Sequence, residues 1–270
     1  MPSPDASAPA YRASDGAAYD WFLGRWTQRL AEPFIDFADM PPDGPVLEVG
    51  CGTGSLAGRI ANRMPQRLVV GADLSLPYLV QARRNAPHGA YAASDVRKLA
   101  FRDATFASAV AQLVLNFVPE PAAAVAEMKR VTRPGGMVAA SVWDFRGGLV
   151  YQRVFWDTAS GIDPAAGAAR DRLFATPLAT AEGLTALLTK VGLDQVVIAS
   201  LTIRMDYSSF DDYWQPLLGG QGPVGTYAAS LAEERRALVR ERVRLAYLAG
   251  GADGPRSMTA TAWAVRGRVP

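Results

Sequence analysis

The apolar run Val46-Leu47-Glu48-Val49 breaks directly into Gly50-Cys51-Gly52-Thr53-Gly54, and apolar residues resume at Leu56, Ile60 and Met64. A short buried strand therefore turns through a glycine loop into a helix that opens near Ser55, its apolar side repeating every four residues. Chains with this pattern build an α/β unit whose ligand crevice opens at the carboxyl end of the first strand. Side chains in the loop would hold the backbone off a ligand, and glycine removes that obstacle. Nucleoside-type ligands are bound at turns of this kind, so the loop directs the reading of the rest of the chain.

The pattern recurs. An aromatic and basic helix is expected over Tyr19 to Phe37, stopped by Pro41-Pro42-Asp43-Gly44-Pro45. After the first unit, Leu68 to Ala72 reads as a second strand closing on Asp73, and Ser75 as the cap of a helix reaching about Asn85. Ala90 to Ala93 is a short third strand, Phe106 to Leu115 a fourth and Met137 to Trp143 a fifth. A helix starts at Pro119-Glu120-Pro121, and Arg133-Pro134-Gly135-Gly136 reads as a tight turn. Nearly continuous apolar strands separated by helices mean a parallel sheet covered on both faces. The second half loses the rhythm: 144–177 reads as irregular with Tyr151, Phe155 and Trp156 in a helix, Thr180 caps an amphipathic helix closed by Gly192, Val196 to Met205 is a strand, Ser208 to Leu218 and Ala228 to Leu248 are helical, and Ser257 to Val265 is a last strand. The expected fold is α/β, a doubly wound, mostly parallel seven-stranded sheet with helical cap insertions at 144–178 and 208–255. The expectation is one domain over 15–270, with 15–143 as its cofactor-binding half.

Composition narrows the function classes. The 270 residues are 49% hydrophobic and 20% charged with net charge +2, ordinary for a globular protein and too balanced to indicate nucleic acid. Cys51 is the only cysteine, so no intrachain disulfide can form and a cytoplasmic setting is expected. It has no Cys or His companions, so no metal site is expected. No apolar run reaches the length of a membrane span. The opening residues 1–14, rich in Ala, Ser and Pro, lack the basic start and apolar middle of a secretory signal and are expected to be a disordered tail. The charge-rich stretch Glu233 to Arg244 reads as a solvated helix face.

Two ligand classes compete for the loop. Dinucleotide sites favour G-x-G-x-x-G, but here Ser55 stands at the third glycine position and Gly54 comes one residue early. The wording Val46-Leu47-Glu48-Val49-Gly50-Cys51-Gly52-Thr53-Gly54 resembles the first motif of class I S-adenosylmethionine-dependent methyltransferases. Gly71-Ala72-Asp73-Leu74-Ser75 is similar to the second motif of that family and Ser94-Asp95-Val96 to the third, and Glu127 to Gly136 resembles the approach to strand five. The resemblance covers residues 45 to 143 and implies S-adenosylmethionine as cofactor, with S-adenosylhomocysteine as product. It implies that Gly50, Cys51, Gly52 and Gly54 face the amino-acid end and that Asp73 takes the ribose hydroxyls. Leu74 would lie on the adenine, Asp95 and Val96 would hold its edge, and Gln112 would approach the methionine part. By the same resemblance Arg25 would meet the cofactor carboxylate.

The implied reaction, methyl transfer to a small-molecule acceptor, demands alignment and exclusion of water more than acid catalysis, so no catalytic residue is assigned. The lone histidine, His88, reads as an exposed turn residue. Acceptor contacts are expected from Asn116, Phe117, Trp143 and Tyr151, with Phe155, Trp156, Tyr207 and Trp214 as further covering aromatics and Asp144 as a candidate base. Two other readings stand beside this one: a non-catalytic S-adenosylmethionine-binding protein, and a nicotinamide-dependent oxidoreductase. Neither nucleic-acid binding nor membrane insertion is expected.

Overall fold

The computed structural model describes residues 15–270; the expected disordered tail, 1–14, lies outside the described residues. Seven strands form one sheet in the order β3-β2-β1-β4-β5-β7-β6. They are β1 (Val46–Val49), β2 (Val69–Asp73), β3 (Ala90–Ala93), β4 (Phe106–Gln112), β5 (Thr132–Trp143), β6 (Asp194–Tyr207) and β7 (Arg256–Arg268). The first five are parallel, while β7 runs antiparallel to both β5 and β6. The order reverses at β1, which pairs β2 on one side and β4 on the other, so a crevice opens beyond the carboxyl ends of these strands.

Both faces of the central strands are buried, which is why they read as unbroken apolar runs rather than alternating ones. Val46, Val69, Val110 and Ala139 pack with α2 (Arg25–Ala38) and α3 (Ser55–Arg63) through Phe34, Ile35, Leu56 and Ile60. Their neighbours Leu47, Val70, Ala109 and Val138 face the opposite layer, with α5 (Pro121–Val131) and α8 (Ala181–Lys190). Between these, α4 (Leu76–Asn85) is capped as expected, with the Ser75 hydroxyl accepting from the Tyr78 N–H at 3.3 Å. Thr180 likewise caps α8, accepting from the Gly183 N–H at 3.0 Å.

Several elements depart from the sequence reading. The first helix starts earlier, as α1 (Gly16–Tyr19) capped by Asp15, and passes into α2 through a π-helical turn, Asp20–Gly24. Strand β4 ends at Gln112, not Leu115, because Leu113 takes φ +63° and a 3-10 turn follows over Leu115–Phe117. The Arg133 to Gly136 turn is a bulge inside β5, where five residues (Thr132 to Met137) advance against two of β4. The stretch 144–177 holds the expected helix through Tyr151, Phe155 and Trp156 as α6 (Val150–Ser160), but a further helix, α7 (Pro164–Phe174), capped by Asp163, stands where irregular chain was expected. Beyond β6 lie α9 (Phe210–Trp214), a 3-10 turn (Gln215–Gly219), α10 (Gly222–Ser230) and α11 (Glu233–Leu248). The expected helix over Ala228 to Leu248 is therefore broken where Leu231 and Ala232 are extended.

Candidate active site

The crevice holds a cavity of ≈ 360 Å³, within the size range of small-ligand sites. Its floor is the row of strand ends: Gly50 and Gly52 after β1, Asp73 and Leu74 at β2, Asp95 after β3, Gln112 at β4 and Trp143 at β5. Gly50 and Gly52 have φ of 68° and 52°, the left-handed region. A Cβ on Gly50 would collide with Val114. On Gly52 it would meet nothing nearer than Tyr78 at 4.0 Å, so a side chain there would project into space left open beside the loop.

Asp73 is fixed by the loop it faces. Its Oδ2 accepts from the Gly52 N–H at 2.9 Å and its Oδ1 from the Ser75 N–H at 2.8 Å. Burial raises its pKa, and these backbone bonds pull the other way. Asp95 is held by Arg97, whose Nη2 donates to Oδ2 at 2.8 Å, and that bond lowers the Asp95 pKa. Arg97 lines the cavity beside it, with Val96. Behind the loop, Glu48 is 2% exposed and accepts from the Ala57 N–H at 2.8 Å; burial pushes its pKa well above the usual carboxylate range.

The sequence-derived candidates divide. Gly50, Gly52, Asp73, Leu74, Asp95, Val96 and Gln112 line the cavity, and so do Phe117, Trp143 and Tyr151. The other candidates do not. Arg25 forms an ion pair with Asp212 at 2.9 Å, and its guanidinium lies 4.3 Å from the centre of the Trp26 ring. Cys51 is buried against Gly71, with burial raising its thiol pKa. Gly54 turns the loop into α3 and sits against Ala82. Asn116 is buried outside the cavity. Asp144 accepts from the Arg146 and Gly147 N–H groups, which makes it a turn residue rather than a base facing the cavity. Phe155, Trp156, Tyr207 and Trp214 pack with one another and with neighbouring rings in the cap. His88 is exposed in its turn.

Other lining residues were missed. Phe22 and Leu23 come from the π-helical turn, Phe145 and Gln152 from the entry to the cap, and Gly222 and Pro223 from the start of α10. Only the aromatic character of the 19–23 segment carried a signal. The others reach the cavity through tertiary packing that no local pattern encodes. Among the described residues, no group of three or more His, Cys, Asp or Glu side chains could hold a metal ion, and no helix is long and apolar enough to cross a membrane.

A family model described as a methyltransferase domain matches residues 47–140, the span from β1 into β5. The trans-aconitate 2-methyltransferase of Variovorax paradoxus is 26% identical over 66% of this chain and 64% of its own length. The demethylmenaquinone methyltransferase of Roseiflexus castenholzii is 32% identical over 52% of this chain and 62% of its own length. The chain thus spans less than two thirds of the length of these curated relatives. A putative methyltransferase from Bacillus halodurans has the same fold, with TM-score 0.56 and 18% identity over 89% of this chain and 98% of its own. The reversed sheet order with one antiparallel strand, β7, fits the class I methyltransferase architecture. Residues 47–140 thus match a methyltransferase domain, and the chain shares the fold of solved methyltransferases.

Proposed function

We propose that this chain transfers a methyl group from S-adenosylmethionine to a small-molecule acceptor. One observation carries the reading: the glycine loop and Asp73 open into the same cavity as an aromatic chamber built from β5 and α6. The donor end fits the cofactor's chemistry. The Asp73 carboxylate accepts backbone hydrogen bonds from Gly52, Leu74 and Ser75, and its two oxygens keep lone-pair capacity for a ribose hydroxyl. The space beside Gly52 suits close approach of the amino-acid end. The Gln112 Oε1 is buried without a partner, while its Nε2 donates to the Thr27 carbonyl at 3.0 Å, so it can accept from the cofactor ammonium. Asp95 and Val96 would take the adenine edge and Leu74 its face. Phe117, Trp143 and Tyr151 would meet the acceptor.

When bound, S-adenosylmethionine supplies an electrophilic methyl carbon on a sulfonium: the acceptor's electron pair forms the new bond, and the carbon–sulfur pair stays on the neutral thioether. The residues of the chain align the reactants and exclude water. A single domain over 15–270, with α6–α7 and α9–α11 as its cap, and a cytoplasmic setting complete the reading; the lone cysteine supports the latter.

The test is a thermal shift with S-adenosylhomocysteine against NAD. At 100 times its dissociation constant the nucleoside should stabilise the fold by about 2.7 kcal/mol. Stabilisation by NAD alone would overturn the reading, and donor binding with no methylated product from any acceptor would favour a non-catalytic binding protein.

A further inference from the structure

The charged residues that line the cavity are Asp73, Asp95 and Arg97, and all three stand at the ends of β2 and β3. The chamber at the other end is built from Phe22, Leu23, Trp143, Phe145, Tyr151 and Gln152, none of which is charged. Tyr151 is buried, and burial raises its hydroxyl pKa, so it stays neutral. An ionic acceptor entering this chamber would lose its water and meet no counter-ion.

Two residues of the chamber lining carry polar atoms buried without a partner. Gln152 is 4% exposed; its Nε2 donates to the Tyr151 hydroxyl at 3.0 Å and its Oε1 has no partner. Turning the amide over lets the Tyr151 hydroxyl donate to Oε1 and frees the NH₂ instead, so either orientation leaves part of the amide open. Trp143, 5% exposed, has an indole N–H without a partner. These groups come from the end of β5 and the first turn of α6, the two elements that wall the chamber. Buried polar atoms are normally hydrogen-bonded, so two unpaired ones on residues that line one cavity point to a ligand whose entry lets them pair.

We propose that the acceptor is an uncharged, largely apolar ring compound bearing one hydrogen-bonding group such as a hydroxyl, and that the Gln152 amide is the residue that selects it. The inference rests on the methyl-donor reading only in assigning the glycine-loop end to the cofactor. It sets this chain against acceptors carrying carboxylate, phosphate or ammonium groups.

Equilibrium dialysis of the full chain, saturated with S-adenosylhomocysteine, tests it with four probes: 2-naphthol, naphthalene, 2-naphthoate and 2-naphthylmethylammonium. The phenol should bind at least ~10-fold more tightly than each of the others, a difference of about 1.4 kcal/mol. Gln152→Met, which keeps the chain length but removes both hydrogen-bonding ends, should bring the phenol down to the hydrocarbon while leaving nucleoside affinity unchanged. If that variant fails to bind the nucleoside, Gln152→Leu repeats the comparison. Equal or tighter binding of either ion, no binding of the phenol, or a phenol preference that survives both substitutions would overturn the inference and leave the methyl-donor reading standing. Failure of the native chain to bind S-adenosylhomocysteine would overturn both.

Discussion

At the scale of single residues, the loop is governed by two carboxylates with different tasks. Asp73 faces the cavity; Glu48 lies behind the loop and secures the first turn of α3 through the Ala57 N–H. If Asp73 takes the ribose as proposed, Asp73→Ala removes two charge-assisted contacts worth about 1.5 kcal/mol each or more, so nucleoside affinity should fall roughly 100-fold by calorimetry. Glu48 follows opposite logic. Its folded-state pKa is raised by burial, so its contribution to stability is fully present below its unfolded pKa and is lost as pH rises through the folded value. Glu48→Gln keeps an acceptor for the Ala57 N–H and cannot ionise. Its melting temperature relative to the native chain should therefore climb as pH rises from about 5 to about 9, and a flat difference would contradict this assignment. Legibility at this scale follows locality. Asp73 and the loop glycines are fixed by their own strand–turn–helix context and could be read from the residues. Arg25 could not, because its partner Asp212 lies 187 positions away.

At the scale of elements, the N-terminal helical segment is tied to the glycine loop by one carboxylate. Asp20, in the π-helical turn, accepts from the Thr53 hydroxyl, from Gln81 Nε2 at 3.2 Å and from Asn85 Nδ2 at 2.8 Å. The same turn sends Phe22 and Leu23 into the cavity, so the π geometry and the site belong together. Asp20→Ala should destabilise the fold by about 1–2 kcal/mol in urea titration, since these bonds are only partly buried. It should also speed amide exchange across 16–24 relative to the sheet. Unchanged exchange there would show that the segment is held by packing alone. The five parallel strands were readable because burial on both faces makes each a continuous apolar run. The helix through Tyr151, Phe155 and Trp156 was readable as well, but α7 was not, because Gly161, Asp163 and Pro164 punctuate the sequence and the apolar residues after them follow no steady period. The π-helical turn has no distinguishing composition, and the β5 bulge reads as an ordinary Pro-Gly-Gly turn until its pairing with β4 is seen.

At the scale of the whole molecule, the cap is continuous with the sheet. One buried cluster runs from Leu47 and Val49 of β1 through Trp143 to Phe155 and Trp156 of α6, then to Tyr213, Trp214 and Val243 beyond β6. Phe155 is its junction, with ring centroids 5.2 Å from Trp156, 6.1 Å from Trp214 and 5.9 Å from Tyr227. Tyr213 adds a polar tie by donating its hydroxyl to the Tyr151 carbonyl at 2.8 Å. A cap built this way loosens only when the sheet does, so 15–270 should unfold as one cooperative unit. Fluorescence of Trp156 and Trp214, read in a variant whose other four tryptophans are replaced by Phe, reports on the cap and far-UV circular dichroism on the whole fold, and the two should trace coincident urea transitions. Phe155→Ala should shift both together, by about 3–5 kcal/mol, because the cavity it leaves is surrounded by large rings that cannot collapse into it. Should the fluorescence transition move alone, the cap would be a separate folding unit, and the chamber at its base would open without unfolding of the sheet.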